Sequence, residues 1–153
     1  MRMGRIVKCL IVLQFAVLVS HDLVDIPGWV HRSQVRAMMG KRKLWLATPA
    51  NAALPGTAAA FAVWFWAEPK PAFVSNYWVI YCLMALLSAV GMWYVPYFQA
   101  AHEKQKKEYL AMYAGTHQVL PARGDNPRPN TFHIGIHALF LATFSLALIL
   151  RFK

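Results

Sequence analysis

Residues 131 to 150 read Thr131-Phe132-His133-Ile134-Gly135-Ile136-His137-Ala138-Leu139-Phe140-Leu141-Ala142-Thr143-Phe144-Ser145-Leu146-Ala147-Leu148-Ile149-Leu150. A run of this length without a formal charge is enough for one helix to cross the roughly 30 Å hydrocarbon core of a bilayer. Immediately before it lies a polar loop, 115–130, with Pro121, Pro127 and Pro129 and three Asx residues, Asp125, Asn126 and Asn130. Asn130 stands where an N-cap belongs. His133 and His137, at i and i+4, share a face near the start of the helix.

Two further stretches, 44–67 and 71–101, also lack Asp, Glu, Lys and Arg. Charged residues make up only 14% of the 153-residue chain, and apolar residues 58%. Soluble domains carry about 25% charged residues. Too little polar chain remains to coat so many apolar helices in one small domain. The sequence therefore predicts an all-α integral membrane bundle of four antiparallel transmembrane helices, a single domain over 1–153. Its spans fall at about 6–25, 46–66, 76–98 and 131–150, with a polar connector helix and loop before the last.

The formal net charge of +10, from 16 Lys and Arg against 6 Asp and Glu, has two readings. Nucleic acid is one, but no recognition motif accompanies the charge. The basic residues flank apolar spans, which points to topology and to anionic lipid headgroups. The expected partners are the lipid bilayer and other membrane subunits or a second copy of the chain, and no nucleic acid. The connectors 26–45 and 99–130 hold ten Lys and Arg, and the other face six. That bias puts the two connectors in the cytoplasm of a plasma (inner) membrane. Cys9 and Cys82 each lie in an apolar run, read as small buried hydrophobes rather than a disulfide.

Along the chain, 6–25 competes with a removable signal peptide. Its cleavage pattern is poor and the apolar pattern resumes at Leu23-Val24, so a retained span is expected, with Lys8 snorkelling at one end. Pro27 and Gly28 end it. Ser33 is expected to cap a short interfacial helix closed by Gly40. Pro49, Asn51, Pro55 and Gly56 predict a kink or broken turn in the second span. Trp64 and Trp66, and Trp93, Tyr94 and Tyr97, read as aromatic belts. Residues 99–113 read as a surface helix ended by Gly115, with Glu103–Lys107 and Lys104–Glu108 pairs at i,i+4.

The functional reading rests on depth. Gln14, His21 and Asp25 fall within about 40° on a helical wheel, with Asp22 at the edge of the stripe. The first span ends, and the last begins, on the same membrane face. His21, Asp22, Asp25, His133 and His137 are thus the candidates for catalysis. Intramembrane ionisable groups are costly and turn inward to pair. Three chemistries suit them. His133, His137 and Asp25 could hold zinc or non-haem iron, and His21 with His137 a haem, although no motif names a cofactor. A carboxylate-tuned histidine could exchange protons. The loop could capture an anion or headgroup through His117, Arg123, Asn126, Arg128 and Asn130, folding over the helix ends as a lid. Against these stands a purely structural role: HxxxH without the HExxH carboxylate is a weak signal, and prolines often only set a turn. The sequence therefore predicts a small polytopic membrane protein, first as an accessory or assembly subunit, and alternatively as a membrane-embedded enzyme or redox or metal protein with a His/Asp site at the cytoplasmic face.

Overall fold

A computed structural model describes residues 2–67, 70–99 and 101–152. It is all-α, and among the described residues no strand forms beyond a single Ile26–Val30 bridge. The helices are α1 (Arg2–Leu23), α2 (Arg32–Met39), α3 (Lys41–Trp64), α4 (Ala72–Ala89), α5 (Val95–Phe98), α6 (Glu103–Tyr113) and α7 (Thr131–Arg151). A π-helical turn, Val90–Tyr94, joins α4 to α5.

The long helices pack antiparallel, as their contacts run. Lys8 near the start of α1 meets Phe65 and Trp66 just past the end of α3. Phe61 of α3 packs on Phe73 and Tyr77 of α4. Gln14 of α1 donates to Thr143 Oγ1 of α7 at 2.7 Å, and Arg151 of α7 donates to Asn76 of α4 at 2.6 Å. The core lies at the centre of these four, built from Val7, Ile11, Ala58, Ala62, Val74, Trp78 and Cys82, all fully buried. Ala58 and Ala62 let α3 approach closely, and Trp78 Nε1 donates to the Ala58 carbonyl at 3.2 Å.

Among the described residues three helices, not four, are long and apolar enough to cross a membrane: Met3–Leu23, Ala72–Phe98 and Thr131–Arg151. The second expected span is α3, which has the length but not the apolarity. Thr48, Pro49, Asn51, Pro55, Gly56 and Thr57 dilute it, and alanines supply much of the rest. The predicted break is also absent, since α3 runs continuously through Pro49 and Pro55. Extra donors settle on its carbonyls around Pro55: Thr57 Oγ1 on Ala53 O, Tyr77 Oη on Leu54 O and Trp78 on Ala58 O.

Local expectations were revised in four further places. Lys8 does not snorkel but is buried, donating to the Phe65 and Trp66 carbonyls at the end of α3, where a cation complements the helix dipole. Ser33 lies inside α2, whose N-cap is His31, and the Ser33 N–H donates to Asp25 Oδ1 at 3.3 Å. Glu103 pairs with Lys106 at 3.1 Å rather than with Lys107, because Asp125 draws Lys106 from the other side at 3.0 Å. Trp93 turns inward instead of joining an interfacial belt. Cys9 and Cys82 are both free. Half of the Glu68-Pro69-Lys70-Pro71 return lies outside the described residues.

Candidate functional site

Asn130 organises the site from below. Its side-chain oxygen caps α7 by accepting from the His133 N–H at 3.0 Å, and accepts again from His133 Nδ1 at 2.6 Å. Its amide donates to the Trp29 carbonyl at 2.8 Å, tying α7 to the turn after α1. One fully buried side chain therefore fixes the helix start, the rotamer of His133 and the distance to the first connector. With Nδ1–H given to Asn130, His133 keeps Nε2 as a lone-pair acceptor.

His133 is buried in an aromatic box. Trp93 lies 4.2 Å away between ring centroids, His21 at 5.2 Å and Tyr113 at 5.3 Å. Trp93 reaches it because the chain leaves α-helical register at Val90–Tyr94, where the Val95 N–H bonds back five residues to Val90 O. Pro96 follows at once, and it cannot donate to the carbonyl an α-helix would offer it. The wider turn re-aims Trp93 and Tyr94 towards α7, a common use of π-bulges at working sites. Tyr94 Oη lies 3.2 Å from His137 Nδ1.

His21 stacks on Phe132 at 5.4 Å, and its Nδ1 donates to Asp22 Oδ1 at 3.1 Å. Its Nε2 is buried without a hydrogen-bond partner. So the structure brings together His21, Asp22, His133 and His137 from the candidate set. It leaves out Asp25, which is exposed and engaged with α2. With it goes the proposed His133–His137–Asp25 ligand set: among the described residues no three His, Cys, Asp or Glu side chains gather as a metal ion requires.

These groups line a cleft of about 510 Å³. Its floor is α1 and α7, and its walls are the first half of α3 and the last half of α4. The two walls meet at Phe61 and Phe73, near their connected ends, and part beyond Leu54. Leu54, Met84 and Met92, each more than half exposed, mark the mouth on the outside of the bundle. Deeper in, Tyr81 packs on Phe140 at 5.5 Å, and its hydroxyl is buried with no partner. Tyr81, Trp93 and Tyr113 were not legible as site residues, and Pro96 one turn after Trp93 was the available signal.

The loop 115–130 is stapled across the end of the bundle. His117 N donates to Gly28 O at 2.6 Å, and its Nδ1 lies 2.7 Å from Thr131 Oγ1. Asn126 donates to Gln99 O at 2.9 Å, and Tyr97 Oη donates to Pro121 O at 3.0 Å. Arg128 donates to Leu120 O at 2.8 Å, and Arg123 lies over the Tyr97 and Phe98 rings. Of the five expected binding residues, only Asn130 touches the histidine cluster. His117 and Asn126 tie the loop to Gly28 and Gln99, Arg123 rests on α5, and Arg128 braces the loop internally. Tyr113, in the helix leading into this loop, is pushed up to about 12, first by burial and then by Tyr109 and Asp22. No protein-family model, curated protein or solved structure matches this chain.

Proposed function

We propose that this chain is an integral membrane protein of four antiparallel spans whose work is done in the histidine-lined cleft. On this reading α3 is the fourth span. Its 24 residues reach about 36 Å, and it lies antiparallel between two apolar helices, so it crosses where they cross. The cleft then opens sideways between α3 and α4 into the lipid, on the half of the bundle nearest the basic connectors. Those connectors face the cytoplasm of an inner membrane, where anionic lipid meets their positive charge.

One observation carries the reading: three histidines and Asp22, drawn from two helices, line a single cleft of ligand size, each histidine held by one neighbour. Pockets that bind small molecules are mostly apolar with a few converging polar groups, and this one has that make-up. His21, oriented by Asp22, is the proton-exchanging group, because it is the cleft histidine whose imidazole is held by a carboxylate. His133 and Trp93 form the fixed wall, and Asn130 is a positioning residue.

The test is to purify the protein from native membranes and identify its small molecules by mass spectrometry. The comparison is the filled-cleft variant Ser88→Leu with Ala85→Phe. A compound held by the wild type and missing from the variant is the expected result. Identical extracts from two equally folded proteins would end the proposal.

A second reading, an accessory or assembly subunit, rests on α3. The middle of its exposed face is Pro49, Ala53, Thr57 and Ala60, a weakly apolar surface for lipid. A partner subunit or second copy against that face would suit it better. Photo-crosslinking from position 57 in native membranes tests this, and labelling of lipid alone would count against it.

A further inference from the structure

The basic residues of this chain avoid the cleft. The formal charge is +10, with 16 Lys and Arg, yet among the described residues none of these lines the cleft. The one formally charged side chain in the lining is Asp22. Its sole partner among the described residues is the His21 imidazole, 3.1 Å from Oδ1. The pair is not sealed off: 16% of the Asp22 side chain and 20% of the His21 side chain remain accessible. Asp22 therefore meets the cleft as a carboxylate with no Lys or Arg beside it. The start of α7 packs on His21 through Phe132 and offers the positive end of a helix, but its His133 N–H already donates to Asn130. A carboxylate bordering a membrane-facing space is costly without a counter-charge.

The rest of the lining narrows what supplies that charge. A bare metal ion would need further donors, and among the described residues no three His, Cys, Asp or Glu side chains gather. The space of about 510 Å³ suits a molecule, and Met84, Met92, Trp93 and Phe140 give it an apolar, polarisable wall. Aromatic rings attract cations over their faces, and thioethers adapt to irregular apolar shapes. An anionic head would face Asp22 with no cation to hold it. A neutral head would leave the carboxylate unbalanced.

We propose, resting on the cleft reading above, that the ligand is a lipophilic organic cation: an ammonium group carried on an apolar body. The ammonium sits beside Asp22 and supplies the charge that the chain withholds there. The apolar body lies against Phe140 and Ala85, and enters between α3 and α4 past Leu54 and Met84.

The experiment uses the full chain in an uncharged maltoside detergent and a diazirine-bearing alkyltrimethylammonium as photoprobe. Competitors are octyltrimethylammonium, octan-1-ol, octanoate and octylphosphocholine, which share one chain length and differ in the charge of the head. The probe is expected to label α4 and α7 peptides that line the cleft. Octyltrimethylammonium should displace it about tenfold more tightly than octan-1-ol, the scale of a partly buried cation contact. Octanoate should be weaker still. Octylphosphocholine should fall with the alcohol, because its phosphate meets no Lys or Arg. Asp22→Asn keeps an acceptor for His21 and should bring the ammonium down to the level of the alcohol, while Asp22→Glu should keep the preference. An ammonium preference that survives Asp22→Asn overturns the ligand class while leaving the cleft as a binding site. So does displacement of the wild-type probe by octan-1-ol or octanoate as tight as by the ammonium, and this series decides alone if Asp22→Asn does not fold. Octylphosphocholine as tight as the ammonium overturns the lone cation in favour of a lipid headgroup. Labelling that avoids the cleft, or that persists in Ser88→Leu with Ala85→Phe, overturns the cleft reading itself.

Discussion

In the half of the bundle that holds both chain ends, polar side chains tie one packed element to the next; in the half nearest the connectors, the paired polar groups border a cleft. Lys8 closes the end of α3, Arg151 reaches Asn76, Lys70 donates to Ser75 at 2.6 Å and Gln14 bonds Thr143. Burial and the neighbouring Lys8 and Arg151 charges hold the Lys70 amine below its ordinary value. The helices there touch through alanines and leave no room. Near the connectors α3 and α4 diverge, the π-turn swings Trp93 inward, and His21 Nε2 and Tyr81 Oη stay unpartnered. A closed half supplies stability, and an open half supplies space beside polar groups. Sites are usually drawn from the second kind of region, because a fully paired and packed region has nothing left to offer a ligand.

The contrast is most exposed to failure at two tryptophans. Trp78→Ala removes a fully buried ring from the closed half and should cost about 3–5 kcal/mol in reversible unfolding. Trp93→Ala should cost clearly less, because its ring borders an existing space. Equal losses would mean that both halves are packed alike. Enlarging small residues should separate the halves next. Ala58→Leu overpacks a fully buried site and should destabilise by about 1–3 kcal/mol. Ser88→Leu adds apolar volume to the cleft and should be neutral or stabilising. A loss on Ser88→Leu as large as that on Ala58→Leu would close the cleft as a real feature. Asn130→Ala comes third. It removes an N-cap and the link to Trp29, with an expected cost of about 1–2 kcal/mol and a shifted ring resonance for His133.

How much of this was legible beforehand follows from what each feature depends on. Uncharged runs announced three of the long helices, because the bilayer demands apolar length and little else. Asn130, followed by the apolar helix, announced its own cap. The convergence of His21, Asp22, His133 and His137 followed from counting helix ends, since antiparallel neighbours return to the same level. Asp25 was misplaced because a helical wheel continues past the point where the helix stops: α1 ends at Leu23, and Asp25 turns to α2. The broken turn expected in α3 did not appear: the helix runs on through Pro49 and Pro55, and a proline's local preference does not show what the packing of a whole helix will hold. Trp93 and Tyr81 were missed for a similar reason. Their direction is set by a register shift and by the divergence of two helices, both properties of packing.

Two titrations distinguish the buried wall from the loop that covers it. Burial raises Tyr113 to about 12, so its neutral form is the folded one. Its contribution is fully present below the ordinary tyrosine value near 10 and is lost as pH rises from there towards 12. Absorbance near 295 nm, a wavelength chosen for tyrosinate at roughly its maximum, should show a late-titrating fraction that is smaller by one tyrosine in Tyr113→Phe.

The smallest effect is expected at Asp125. The hydrogen bond from Lys106 holds its carboxyl below the usual range, so its contribution is present above that range and fades as pH falls through the lowered value. Asp125 and Glu103 are both well exposed, and solvent screens such pairs. Asp125→Asn should leave the unfolding midpoint at neutral pH unchanged and slightly flatten its acid limb. A large drop would mean that the loop bears on the histidine wall through this pair, and the division between a working cleft and a stapled cover would have to be redrawn.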